Sequence, residues 1–107
     1  MNTFEALGIE EGLLQSIKTL GFTEPTPIQE KAIPVLLQGT KDFIGLAQTG
    51  TGKTAAFGLP LLQLIKKEDR FPQALIVCPT RELCLQITSD LEKFKSKKIN
   101  VNITAVY

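Results

Sequence analysis

At 107 residues and a formal net charge of +1, the chain is one small domain or a piece of one. It has no apolar run near the roughly 20 residues of a membrane span, and its "MNTFEALGIE" start lacks the basic and apolar regions of a secretory signal. There is no histidine, which removes His-based triads and the usual zinc sites. Cys78 and Cys84 fit neither a CxxC pair nor a disulfide framework, so a reducing, cytoplasmic setting is the expectation.

In chain order, the first element is an amphipathic helix over Glu10–Leu20, with Leu13, Leu14, Ile17 and Leu20 on one face and Gly21 as its stop. Thr26 reads as the N-cap of a second helix and Pro27 as its first residue, where a missing N–H costs nothing. Ile28, Ala32, Val35 and Leu36 are expected to face inward, Pro34 to kink the helix and Gly39 to end it. "DFIGLA", Asp42 to Ala47, reads as a short buried strand. A third helix opens at Gly52, bends at Pro60 and packs through Leu59, Leu62 and Ile65.

"QALIVCP", Gln73 to Pro79, reads as a buried strand of the parallel type. Thr80 then caps a fourth helix with a stripe of Leu83, Ile87, Leu91 and Phe94, and "VNITAVY", Val101 to Tyr107, is a last β-branched strand. This alternation predicts an α/β fold with parallel strands and flanking helices. Charge is uneven: residues 1–60 hold four Lys against six acidic residues, and residues 61–107 hold eight Lys/Arg against five. The basic half suits a polyanion, although a solvated helix face is the plainer reading of "KFKSKK", Lys93 to Lys98.

"AQTGTGKT", Ala47 to Thr54, carries the strongest chemistry. It matches the phosphate-loop pattern except that Ala47 stands where the strict form has Gly. Gly50 and Gly52 let the backbone approach phosphate oxygens closely. The N–H groups from Gly50 to Thr54 converge on an anion at a helix N-terminus, Lys53 reaches the β- and γ-phosphates, and the Thr54 hydroxyl is a Mg²⁺ ligand. The loop binding set is therefore Gln48, Thr49, Gly50, Thr51, Gly52, Lys53 and Thr54, with Lys53 and Thr54 as the catalytic candidates.

Three separated blocks resemble one family. "GFTEPTPIQ" (Gly21 to Gln29), "AQTGTGKT" and "PTRELCLQ" (Pro79 to Gln86) are similar, in order, to the Q motif, motif I and motif Ia of DEAD-box ATP-dependent RNA helicases, and Phe4 matches the isolated aromatic upstream of the Q motif. The resemblance implies the N-terminal portion of a RecA-like domain, with Q-motif helices over 1–39 and a P-loop βαβαβ segment over 40–107. It implies ATP, ADP and Mg²⁺ as ligands. Gln29 then reads adenine through one donor and one acceptor, with backbone groups near Thr23 and Glu24 completing the contact. Taken alone, Gln29 reads first as a solvent-facing helix residue. Phe4 and Phe22 are candidates for packing near the base, with plain core filling as the alternative. Motif Ia implies contact with the RNA backbone through Pro79, Thr80 and Arg81, and the capped helix start with a guanidinium beside it suits phosphate on its own terms. A capped helix with a surface arginine is the bland reading.

Within residues 1–107 there is no Asp-Glu-Ala-Asp run and no Ser-Ala-Thr run. The expectation is a truncated helicase fragment that binds nucleotide weakly and shows no RNA-stimulated hydrolysis. In a RecA-like sheet, further strands separate those of motifs I and Ia, so exposed strand edges and self-association or domain swapping are expected. The competing reading is another P-loop protein, such as a small-molecule kinase, that shares only the phosphate loop.

Overall fold

The structure, a computed structural model, describes residues 3–46, 52–65, 70–95 and 101–107. Four helices organise them: α1 Glu11–Thr19, α2 Pro27–Gln38, α3 Lys53–Leu64 and α4 Arg81–Phe94. Their boundaries follow local chemistry. Thr26 is extended at the N-cap of α2 with Pro27 at the first position, and Gly39 closes that helix in the left-handed region at φ 70°. Gly52 precedes α3, and the Thr80 hydroxyl accepts a 3.1 Å bond from the Leu83 N–H at the start of α4. Both α2 and α3 run on through an internal proline, and Pro60 is fully buried.

The core lies where the helices meet. α3 packs on α2 along one side and on α4 along another, while α1 touches α4. Leu59 of α3 and Ile33 of α2 are completely buried, and Leu91 and Phe94 of α4 close the other side. Gly58 permits the α3–α4 approach, because a Cβ there would lie 2.7 Å from Leu91 Cδ2. The N-terminal turn adds Phe4, Leu7 and Ile9 to the same core. Gln63 on α3 ties that turn down, its Nε2 donating to Gly8 O and its Oε1 accepting from Glu10 N–H, both at 2.9 Å.

Three expectations are corrected. The inward face of α2 is set by Gln29, Ala32 and Ile33, whereas Ile28, Val35 and Leu36 are only half-buried. Leu83, at the top of the α4 stripe, is 42% exposed. The third correction concerns the parallel sheet. Among the described residues no segment is a β-strand, including 42–46, 73–79 and 101–107. The physical reason is that a strand is stabilised by a hydrogen-bonded neighbour and by cover on its faces. These segments are left open instead, with Ile44 90%, Leu75 87%, Val77 85% and Val106 84% exposed. Apolar runs of this kind supply strand propensity but not strand partners.

Candidate nucleotide and nucleic-acid site

Gln29 is the buried polar residue around which the first candidate site is built, at 2% exposure. It occupies the third position of α2, and its Oε1 accepts a 2.9 Å bond from the Thr26 N–H. Its Nε2 donates a 3.1 Å bond to the carbonyl of Gly52, 23 residues away at the mouth of the phosphate loop. One carboxamide thus joins the Q cassette to the loop. A buried amide without partners would cost about 1–3 kcal/mol, so these bonds fix the side chain as well as satisfy it.

Thr26 and Gln29 have the layout of a capping box, but only the glutamine half closes as a hydrogen bond. The Thr26 hydroxyl is buried with no hydrogen-bond partner among the described residues. The two described bonds also use only one N–H and one lone pair of Gln29, leaving a second of each. Among the described residues, this leaves hydrogen-bonding capacity at Gln29 and Thr26 that no partner takes up.

Gly52 is required twice over at this point. Its φ of +83° is left-handed, and a Cβ would collide with Gln29 Nε2 and lie 3.3 Å from Thr26 Oγ1. Next to it α3 begins with exposed Lys53 and half-buried Thr54. The Gly52 carbonyl takes the first helical bond from Ala56 N–H at 3.1 Å, and among the described residues no side chain caps the helix start. Uncapped N–H groups, the positive end of the helix dipole and a lysine ammonium together suit a polyphosphate. The donors fit the group that motif I implies. Gln48, Thr49, Gly50 and Thr51, expected in the same loop, lie outside the described residues.

Of the aromatic candidates, Phe4 is 4% exposed within the core and Phe22 packs against that core half-buried. The Phe22 ring bridges two others, 6.1 Å from Phe4 and 5.8 Å edge-on to Phe94. Glu24 is exposed. Sequence reasoning missed Gln63, whose signal is a polar residue one helical turn beyond buried Leu59 on an apolar helix.

A second candidate site lies at the start of α4. Pro79, Thr80 and Arg81 are all exposed, and the Arg81 guanidinium carbon sits 4.4 Å from the centre of the Tyr107 ring. Cys78 and Cys84 are half-buried close by. Burial, together with the neighbouring Cys84 thiol, pushes the Cys78 thiol above its ordinary value, which keeps it neutral. No group of three or more His, Cys, Asp or Glu suited to a metal occurs among the described residues.

Comparison with known proteins identifies the family. The family model for DEAD/DEAH box helicases matches residues 26–107, and the chain belongs to that family. It is 50% identical over all 107 residues to the ATP-dependent RNA helicase CshA of Listeria monocytogenes, of which it covers 20%. It is 45% identical over 105 residues to the ATP-dependent RNA helicase DeaD of Buchnera aphidicola, covering 98% of this chain and 17% of that protein. The chain therefore spans about a fifth of the length of these relatives. Among solved structures, a DEAD box protein from Methanococcus jannaschii superposes with a TM-score of 0.84 at 38% identity, over 90% of this chain and 26% of that one. Saccharomyces cerevisiae Dbp5 bound to RNA and ADP BeF3 gives 0.82 at 39% identity, over 88% and 24%.

The contact between Gly52 and Gln29 makes a coupling prediction. Gly52→Ala destabilises the protein, and the cost falls by about 1 kcal/mol in a Gln29→Ala background because the collision is removed. Urea denaturation of both single variants and the double variant measures this; costs that add within about 0.5 kcal/mol contradict it.

Proposed function

We propose that this chain is the N-terminal, ATP-reading part of the first RecA-like domain of an ATP-dependent RNA helicase, acting in the cytoplasm. In the protein that carries it, ATP hydrolysis drives RNA duplex unwinding. The observation that carries the reading is the Gln29 carboxamide, buried and bonded to both Thr26 and Gly52. An amide held next to Gly52 at the start of α3 supports this reading, because a carboxamide can offer one donor and one acceptor to an adenine edge. The kinase reading shares only the phosphate loop, whereas the similarity to RNA helicases runs along the whole chain.

The roles are as follows. Gln29 and backbone groups near Thr23 and Glu24 read the adenine edge. Gln48 to Thr54 hold the phosphates, with Lys53 at the β- and γ-oxygens and Thr54 supplying the hydroxyl for Mg²⁺. Bound Mg²⁺ supplies charge neutralisation of the phosphate oxygens. Phe22 stiffens the Q-cassette entrance through its rings on Phe4 and Phe94. Residues 1–39 are the Q-motif unit and 40–107 the P-loop unit. At the start of α4, Pro79, Thr80 and Arg81 grip the RNA backbone without reading sequence.

Binding of labelled ADP and GDP tests the base assignment. ADP is expected to bind more tightly than GDP by roughly tenfold or more, with the preference lost in Gln29→Ala. Equal affinity for the two bases in the unaltered protein refutes it. RNA is not expected to stimulate phosphate release by the 107-residue polypeptide itself, which contains no Asp-Glu-Ala-Asp pair of carboxylates.

The same polypeptide is expected to self-associate or swap segments, driven by exposed Ile44, Leu46, Leu75, Val77 and Val106. Light scattering at moderate concentration checks this, and a clean monomer contradicts it.

A further inference from the structure

Arg81 and Tyr107 come from different segments and meet at the surface. The guanidinium carbon lies 4.4 Å from the ring centroid, within the reach of a cation–π contact. Tyr107 as a whole is 68% exposed, so core packing does not account for its position. Both residues line an open cavity of about 340 Å³, together with Cys78, Thr80 and Cys84. This cavity adjoins the N-terminus of α4, where Thr80 is the capping residue.

A guanidinium resting on an aromatic ring is held by its face. Its five N–H groups radiate in the plane and remain available to a phosphate. An unsupported surface arginine has to give up rotamer freedom when it captures a phosphate, and a ring that holds it beforehand lowers that cost. We infer that Tyr107 is a positioning residue, holding the Arg81 fork so that its edge meets a backbone phosphate of single-stranded RNA at this cavity. The inference rests on the proposed RNA contact at the start of α4 and adds to it a residue outside the Pro-Thr-Arg-Glu-Leu run. The recognised group is the phosphodiester, so the device is indifferent to base sequence.

The test is fluorescence anisotropy with a labelled single-stranded oligouridylate over a salt series. It uses the protein that carries this segment, at its full natural length. The variants are Arg81→Ala, Tyr107→Phe, Tyr107→Leu and the Arg81→Ala/Tyr107→Leu double, each checked by circular dichroism for unchanged folding. Arg81→Ala is expected to weaken binding and to reduce the salt slope by about one. Tyr107→Phe keeps the ring and is expected to bind as the unaltered protein does. Tyr107→Leu is expected to lose roughly threefold in affinity, and nothing further once Arg81 is gone. Tyr107→Leu binding normally overturns the positioning role while leaving the Arg81 contact standing. An equal loss from Tyr107→Leu with and without Arg81 also overturns it, since the ring would then be stacking on a base directly. If Arg81→Ala itself binds RNA with unchanged affinity and salt slope, the proposed RNA contact fails and the role of Tyr107 falls with it.

Discussion

The structure depends on one buried carboxamide. Gln29 cannot sit at 2% exposure in an apolar interface unless its donors and acceptors are met, and the groups that meet them belong to two different segments. Thr26 is where the chain turns into α2, and Gly52 is where it turns into α3. Moving the amide disturbs both helix starts. The close α2–α3 packing and the left-handed glycine at position 52 are the backbone counterparts of that single side chain. Under the proposed function, this tie would make adenine recognition and phosphate binding parts of one rigid arrangement rather than two independent sites.

Around this centre the fold is held by helix contacts and an aromatic relay. Phe22 follows the end of α1 and touches rings from both the N-terminal turn and α4. Gln63, on the opposite end of α3 from the phosphate loop, fastens the N-terminal turn with two bonds. The segment before α1 therefore belongs to the core of the site's framework, which explains why an isolated aromatic so far upstream as Phe4 accompanies the Q cassette. Gly58 lets α4 close against α3, so both anion-ready helix starts hang from the same packed layer.

Legibility in the sequence followed the range of the interactions. Thr26, Pro27, Gly39, Gly52 and Thr80 act on backbone within a turn of themselves, and each marks a boundary where the structure has one. The rotation of α2 was not legible to the residue. Periodicity pointed to Ile28, Ala32, Val35 and Leu36, whereas Gln29, Ala32 and Ile33 are buried, because a polar residue with fixed partners is energetically a core residue. The three strand readings failed for the opposite reason. Apolar β-branched runs carry strand propensity, but a ladder needs partner backbone, and no local pattern shows whether that partner lies within these 107 residues. The motifs around Gln29, Lys53 and Arg81 were legible as marks of the family. The link between Gln29 and Gly52, and the seat of Arg81 on Tyr107, arise only when distant segments meet.

In the proposed site the Gln29 amide is a fixed, shielded bridge that retains capacity for a base. The most direct measurement is the exchange rate and chemical shift of the Gln29 side-chain NH2 resonances by nitrogen-15 NMR, without nucleotide and with ADP or GDP. Slow exchange is expected in the free protein, with a shift of these resonances on adding ADP but not GDP. Exchange as fast as that of an exposed glutamine, with resonances indifferent to both nucleotides, would contradict it.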